Sequence, residues 1–378
     1  MFIELHMIQN FAPSNLNRDD TGNPKDAEFG GVRRARISSQ SFKRAIRLSP
    51  VFAKTTGVDV GTRSRWMTRL LRKSLEPLGK PADEIQTALD AFVPAYASKY
   101  DSKFKPDDED VDRNRTAVLI YFSADEMQTI VNTLTENWQV FLGGDKKATD
   151  KVVRDLIKLH KNVTNAPDIA LFGRMLAEKP DLNIDAACQV AHALSTHRVT
   201  MEMDFFTAVD DLTTGTEDAG AGMMGFTAFD SACFYRYVRL DWDQLVKNLD
   251  GDSDVARKTV EGFMRAAVEA IPSGKQNTFA AHNPPSLLLC AVREGSFAWS
   301  LTNAFERPAY PSRDLSLVGA SVDKLGAYWQ RLKDVYGTDS LKTVAALAVD
   351  EGLPLDALHE DMVDTLDAWV NTVMETLP

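Results

Sequence analysis

The sequence lacks the marks of several protein classes. Its three cysteines, Cys188, Cys233 and Cys290, are isolated and form no CxxC pair, so neither a disulfide framework nor a cysteine-bound zinc ion is expected. No apolar run approaches the roughly 18 residues that span a bilayer. HExxH, GxSxG and Walker A motifs are also missing. We therefore expect a cytoplasmic protein with no membrane partner, no metal and no cofactor.

Positive charge is scarce in the chain as a whole but concentrated in one segment. With 43 Lys and Arg against 54 Asp and Glu, the net charge of −11 argues against nucleic-acid binding. Residues 25–73, however, hold thirteen basic and three acidic residues, a net charge of +10. Such asymmetry indicates a local polyanion site on a repulsive body. The alternative is a solvated face that acids elsewhere in the fold balance.

Hydrophobic periodicity predicts a mixed architecture. Apolar and polar residues alternate over 2–9, which is typical of a half-buried strand, and 10–31 reads as loop. Ser38 to Ser41 can cap a helix that ends before Pro50. Further patterns predict mainly helix over 62–178, strands over 201–209, 227–240 and 286–292, and mainly helix from 321 onward. Strands mixed with helices at uneven intervals favour an α+β fold.

A second group of cations has helical spacing. These residues are Lys147, Lys151, Arg154, Lys158 and Lys161. At 100° per residue they lie within about 40° of one line along a helix. The stripe suits a phosphate backbone, although a solvated amphipathic helix would carry the same pattern.

Two enzyme-like signals are weak. Residues 220–225 match GxGxxG, but a strand-like run follows them, whereas a dinucleotide site needs a helix there. His192 and His197 do not form a metal pair. One of them could serve a ribonuclease as general base, with Lys275 stabilising the transition state, or both could be structural.

Several stretches together resemble one family. They are LNRDD over 16–20, KD over 25–26, FGGVRRARISSQSFKR over 29–44, IALFGRM over 169–175, FFTAVDD over 205–211, SACFYRY over 231–237 and GKQN over 274–277. This set resembles the CasC family, the repeated backbone subunit of the type I-E CRISPR surveillance complex Cascade. The matches extend over about three quarters of the chain.

The resemblance implies a hand-shaped α+β fold of the RAMP superfamily. The palm would be RRM-like (ferredoxin-like) and discontinuous, over 1–61 and 226–378. A mostly helical finger insertion would occupy 62–200, and a β-hairpin thumb would occupy 201–225.

The resemblance also implies roles for particular residues. The guide-RNA (crRNA) candidates are Arg18, Lys25, Arg34, Ser38, Gln40, Lys43, Arg47, Lys275 and Gln276. The candidates for displacing bases are Met175 on the finger side and Phe206, Thr207 and Met224 in the thumb. The family's target-DNA contacts come from a lysine-rich finger helix, for which Lys147, Lys151, Arg154 and Lys158 are the candidates.

The implied function is a non-catalytic, antiviral RNA-binding scaffold. Members polymerise along a guide RNA and present it for pairing with target DNA. The implied partners are guide RNA, further copies of the chain, the subunits CasA, CasB, CasD and CasE, and target DNA. The alternative is a RAMP-type endoribonuclease that processes the CRISPR precursor RNA.

Overall fold

The computed structural model describes residues 1–100, 116, 119–159, 162–176, 180–208 and 223–378. Within these ranges the strands are β1 (Phe2–Ser14), β2 (Asp26–Phe29), β3 (Val32–Ile37), β4 (Thr62–Ser64), β5 (Ile120–Phe122), β6 (Cys188–Val190), β7 (Ala193–Ser195), β8 (Glu202–Ala208), β9 (Met223–Asp241), β10 (Leu287–Arg293) and β11 (Leu341–Ala348).

The described α-helices are α1 (Ser39–Arg47), α2 (Pro50–Thr56), α3 (Met67–Leu75), α4 (Ala82–Ala97), α5 (Ala124–Glu136), α6 (Trp138–Leu142), α7 (Lys146–Leu159), α8 (Pro167–Phe172), α9 (Trp242–Asn248), α10 (Ser253–Glu269), α11 (Gln276–Phe279), α12 (Leu317–Tyr336) and α13 (Leu366–Met374). Short 3₁₀ turns lie at Glu76–Leu78, Pro180–Leu182, Leu301–Phe305 and Asp356–Asp361. The predicted α+β class is confirmed. No described helix is long and apolar enough to cross a membrane.

The chain divides into two compact units. Unit 1 comprises Met1–Phe52, Cys188–Asp241 and Val260–Pro378, and unit 2 comprises Ala53–Ala187 and Trp242–Thr259. Residues 242–259, predicted as palm, belong to unit 2 because Asn248 at the end of α9 donates to the carbonyls of Ala170 (2.8 Å) and Asp185 (2.7 Å). Residues 188–200, predicted as finger, belong to unit 1 because β6 and β7 pair with β9.

One antiparallel sheet organises unit 1. Its strand order is β11-β10-β1-β9-β7-β3-β2, and β6 and β8 also pair with β9. The predicted thumb corresponds to β8 and the beginning of β9, and residues 209–222 between them lie outside the described residues. Unit 2 holds the short β4–β5 ladder and a helical core around Phe92, Tyr96 and Phe141.

β1 lies in the middle of the sheet, so the prediction of a half-buried strand is wrong. Both faces of β1 are buried from Phe2 to Met7. Glu4 accepts hydrogen bonds from the Arg293 guanidinium (3.0 Å), the Tyr237 hydroxyl (2.8 Å) and the Trp299 backbone (2.7 Å). His6 bonds to the Tyr235 hydroxyl (2.8 Å), and burial together with the charge of Arg293 lowers its pKa to about 3. Glu4 therefore finds its partners inside the core, whereas the buried Nε2 of His6 has no hydrogen-bond partner among the described residues.

Some strands lie where the sequence predicts another structure. β2, which joins β3 through Gly30 and Gly31 at φ of 61° and 72°, lies in the predicted loop 10–31 and forms a hairpin with β3. Two consecutive positive φ values fit a type I′ turn, which favours glycine. β11 lies in the predicted C-terminal helical region, and its alanine-rich residues are extended because they pair with β10.

The buried pair of Glu4 and Arg293, both 0% exposed, gives a stability prediction. Arg293→Met removes the cation and leaves a carboxylate buried without its partner. We expect the free energy of unfolding to fall by about 3–5 kcal/mol, measured by urea unfolding. Lys342→Met is the control, because Lys342 is 47% exposed in its ion pair with Glu294, and it should cost less than about 1 kcal/mol. Equal losses in both variants would contradict this account.

Candidate nucleic-acid interface

α1 carries the first group of predicted RNA contacts. Ser38 is its N-cap: the side chain accepts from the Ser41 backbone (3.4 Å), and the Ser38 backbone N–H donates to Asn17 Oδ1 (2.8 Å). Phe42 and Ile46 are buried, whereas Gln40 is exposed and Lys43 and Arg47 are half-exposed. The predicted capped helix with a basic, polar face is thus confirmed. Ser38 is only 6% exposed, so its hydroxyl mainly stabilises the helix.

A polar cleft of about 620 Å³ in unit 1 brings distant segments together. One wall is the loop from Leu16 to Gly22, which holds Arg18, and another is the α1 face with Ser41 and Arg44. The third wall is the turn from Ile271 to Gly274. Lys25 is joined to the same loop because its backbone N–H donates to the Asn17 carbonyl (2.9 Å). Three of the stretches that carry the family resemblance therefore meet at one surface.

Asp19 orders the loop at this cleft. Its carboxylate accepts hydrogen bonds from the Thr21 hydroxyl (2.8 Å) and from the backbone N–H groups of Thr21 and Asn23, both at 2.9 Å. These hydrogen bonds lower the pKa of Asp19 below its ordinary value, and the bond from the Thr21 hydroxyl has the largest effect. The carboxylate is thus held by its own loop, beside the cations Arg18 and Arg44.

The turn that precedes Lys275 depends on glycine. A Cβ on Gly274 would lie 2.3 Å from the Leu16 carbonyl oxygen, so only glycine lets the turn approach the loop so closely. Lys275 itself has a left-handed backbone (φ 50°) and is half-exposed. The Gln276 side-chain amide donates to the carbonyls of Pro272 and Ala281, both at 3.2 Å. Gln276 therefore closes the turn, and this role was missed in the sequence.

Arg34 does not fit its predicted role as an RNA contact. The side chain is 0% exposed, and its guanidinium donates to the carbonyls of Phe29, Ser195, Phe305 and Glu306 at 2.7–3.2 Å. Five donors in one planar fork suit such a structural role. Its neighbour Arg33, by contrast, is exposed and pairs with Asp26.

The β8–β9 ladder separates the thumb candidates. Phe206 pairs with Gly225 and Thr207 pairs with Met224, so Phe206 lies on the opposite face from Thr207 and Met224. The face of Thr207 and Met224 also carries Phe205 (53% exposed) and Phe226 (69%), whose ring centroids are 5.2 Å apart. The alternation of residues along the strand was the signal that could have identified Phe205 and Phe226.

Unit 2 carries the remaining candidates. Met175 is 84% exposed, the highest value among the exposed large hydrophobic residues described. α7 confirms the predicted helix: Lys147, Lys151, Arg154 and Lys158 are exposed, and Val153 and Leu156 are buried. Lys161 lies outside the described residues. Leu159, predicted on the apolar side, is 65% exposed because it ends the helix.

The enzyme-like signals gain no support. Gly225 lies inside β9, and the strand continues from there to Asp241, so no helix follows the glycines as a dinucleotide site requires. His197 Nε2 bonds to the Cys233 backbone (3.2 Å) and Nδ1 lies 2.9 Å from the Arg198 carbonyl. Burial lowers the pKa values of both His192 and His197. Among the described residues, no three potential metal ligands cluster.

Asp230 is a buried carboxyl group in β9. Together with Asp26, Arg33 and Met201 it lines a small pocket, and it is only 8% exposed. Burial, reinforced by the charge of Asp26, raises the pKa of Asp230 to about 6. At neutral pH the carboxyl group is therefore ionised, and keeping this charge buried lowers the free energy of unfolding.

Comparison with known proteins gives two consistent results. A family model described as CT1975-like protein matches residues 3–372. A chain of a solved CRISPR RNA-guided surveillance complex, in a pre-nicking state, is 32% identical, with 99% of each chain covered and a TM-score of 0.85. A chain of a second CRISPR RNA-guided surveillance complex is 27% identical, with 99% of each chain covered and a TM-score of 0.76. A search of curated proteins gave no match.

The raised pKa of Asp230 predicts a pH-dependent stability change. A carboxyl whose folded pKa lies above its ordinary 3.8 stabilises the fold at low pH, and this contribution is lost as the pH rises to about 6. Asp230→Asn should therefore raise the free energy of unfolding by roughly 1–3 kcal/mol at pH 8 and change it little at pH 4. Urea unfolding at both pH values, with Asp364→Asn as the exposed control, tests this. A gain of the same size at pH 4 would contradict it.

Proposed function

The chain belongs to the CT1975-like protein family, and on that premise we propose that it is the repeated, non-catalytic guide-RNA-binding backbone subunit of a type I-E CRISPR surveillance complex. It would polymerise along the guide RNA and present it for pairing with target DNA. Its proposed partners are further copies of itself and the CasA, CasB, CasD and CasE subunits. The two structural relatives, both chains of CRISPR RNA-guided surveillance complexes, support this assignment over their full length.

The cleft of unit 1 is the observation that carries the proposal. Its lining carries the cations Arg18 and Arg44 beside the carboxylates of Asp19 and Asp20, so its formal charges cancel. The excess positive charge lies on α1, at Lys43 and Arg47, while Gln40 on the same helix, Ser41 and the backbone of the 271–274 turn offer hydrogen-bonding groups. Such groups bind phosphate and ribose hydroxyls without reading bases. A scaffold that must hold any guide sequence needs this kind of surface, because specificity comes from pairing between guide and target.

Apolar side chains would separate bases at regular intervals. Met175 in unit 2 and the hairpin face with Thr207 and Met224 in unit 1 are the proposed wedges, and Phe205 and Phe226 extend the hairpin face. Aromatic and thioether groups can pack on any base, so they displace nucleotides without sequence preference.

The endoribonuclease alternative has less support. His197 uses both ring nitrogens within the fold, and Nδ1 of His192, the other candidate base, lies 3.1 Å from the Arg36 guanidinium. A general base must reach the 2′-hydroxyl that it deprotonates. Specific cleavage of labelled repeat RNA in the absence of metal would favour the enzyme over the scaffold.

The stripe on α7 is proposed to meet target DNA. Asp155 bonds to Lys158 (2.9 Å) and Asp150 lies 3.9 Å from Lys99, so carboxylates temper the local charge. Moderate charge suits transient capture of a duplex better than permanent retention of a guide.

RNA-dependent assembly tests the proposed function. We expect native mass spectrometry of the purified chain to give oligomers whose size grows with the length of added RNA. Replacing Lys43 and Arg47 by Gln should weaken binding of unrelated RNAs by similar factors and flatten the salt dependence, because fewer counterions are released. The control removes two charges from α12 (Lys324→Gln, Arg331→Gln). Loss confined to one RNA sequence, or monomers at every RNA length, would contradict the proposal.

A further prediction distinguishes the role of α7 from that of the guide-RNA surface. Changing Lys147, Lys151 and Lys158 to Ala should leave guide-RNA content unchanged and weaken capture of double-stranded target, most clearly at moderate salt. Gel-shift affinities of complexes matched for RNA content measure this, with Lys54, Lys247 and Lys258 changed to Ala as the control on the same unit. Unchanged DNA affinity would make α7 a solvated face, and loss of assembly would assign it to the guide or to a subunit interface.

A further inference from the structure

Met175 is an exposed apolar side chain between two buried neighbours. It is 84% exposed, while Arg174 is 7% and Leu176 is 5% exposed. An exposed methionine on a mobile loop would need no such anchoring. The backbone on either side of Met175 is instead held by hydrogen bonds at Arg174 and Leu176.

The Arg174 guanidinium is fully engaged below the surface. Nη1 donates to both carboxylate oxygens of Glu126 (2.7 and 2.8 Å) and to the Tyr121 carbonyl (3.1 Å). Nε and Nη2 point at the Leu182 carbonyl at 3.4 and 3.3 Å. A buried ion pair of this kind stabilises a geometry only when its remaining hydrogen-bonding groups are also satisfied, as they are here.

Glu126 is itself held by the start of α5. It is the third helical residue of a capping box, in which one carboxylate oxygen accepts from the Ser123 backbone (2.8 Å) and Ser123 Oγ accepts from the Glu126 backbone (3.1 Å). The carboxylate that receives Arg174 is thus part of a rigid helix N-terminus.

The backbone around Met175 is fixed as well. Arg174 and Ile184 exchange two backbone hydrogen bonds, both 2.9 Å, and the Leu176 N–H donates to Asn183 Oδ1 (2.6 Å). Gly173 has φ of 77°, and a Cβ there would lie 2.7 Å from the Ile184 carbonyl oxygen. Met175 therefore projects from a short stem, residues 174–176, which hydrogen bonds hold at Arg174 on one side and at Leu176 on the other.

We propose that Arg174 and Glu126 are positioning residues that hold Met175 as a rigid wedge against one base of a bound single-stranded RNA. The inference rests on the proposed function and deepens it. A wedge keeps a base displaced only if its own backbone does not yield, because each freed rotamer or loop state lowers the free energy gained on contact. The ion pair supplies this rigidity without touching the RNA.

The test places 2-aminopurine, which fluoresces more strongly when unstacked, at each position of the guide RNA in the assembled ribonucleoprotein. The wild-type protein should give periodic bright positions. Met175→Ala should lower that contrast without abolishing it, because the hairpin side chains Thr207 and Met224 remain, and Arg174→Lys should lower it by less, because lysine keeps the charge but cannot make all of the guanidinium's hydrogen bonds. The double variant should lose no more than Met175→Ala alone, since both changes act through one side chain. RNA content should stay unchanged in all variants.

Two controls keep the result interpretable. Asn183→Ala loosens the other side of the stem without disturbing the ion pair, and it should also reduce the contrast. Arg265→Lys alters an ion pair of unit 1, between Arg265 and Asp367 (2.7 Å), and should not. Full contrast in folded Arg174→Lys and Asn183→Ala proteins, or losses that add to that of Met175→Ala, would overturn the inference. A wild-type protein that takes up no RNA would instead contradict the proposed function.

Discussion

Backbone hydrogen bonding along β9 is the constraint on which the rest of unit 1 depends. From Asp230 to Asp241 the strand pairs with β1 on one side, and β6 and β7 occupy its other side. Buried backbone groups must find partners, so this ladder fixes the centre of the sheet. Before Asp230 the same strand continues, paired with β8 from Met223 to Phe229. The exposed hairpin therefore continues the buried part of β9, and the position of that buried part fixes the direction in which the hairpin extends.

Arginine serves two purposes in this protein. Arg34, Arg174 and Arg293 are buried, with guanidinium groups that bond to carbonyls or carboxylates, whereas Arg18 and Arg44 line the open cleft. A guanidinium can do either, because it stays charged and offers five donors in a fixed plane. The buried ones join segments far apart in sequence.

Charge is distributed between the units in a way that composition conceals. The basic segment 25–73 divides at the unit boundary after Phe52, with a net charge of +5 on each side. The remaining chain is strongly acidic and repels phosphate. Nucleic acid is therefore expected to bind at defined basic surfaces on each unit, with little non-specific binding elsewhere.

The sequence by itself determined the α+β class, the capped helix α1, the basic stripe of α7 and the long strands, because periodicity and capping are local. Only the tertiary structure decided which of these residues face solvent. Neighbouring arginines differ in fate: Arg33 is exposed and Arg34 buried, because β3 alternates its side chains between two faces. Partners distant in sequence made β1 a central strand, β11 a strand and Arg174 a buried anchor, and no local pattern carries that information.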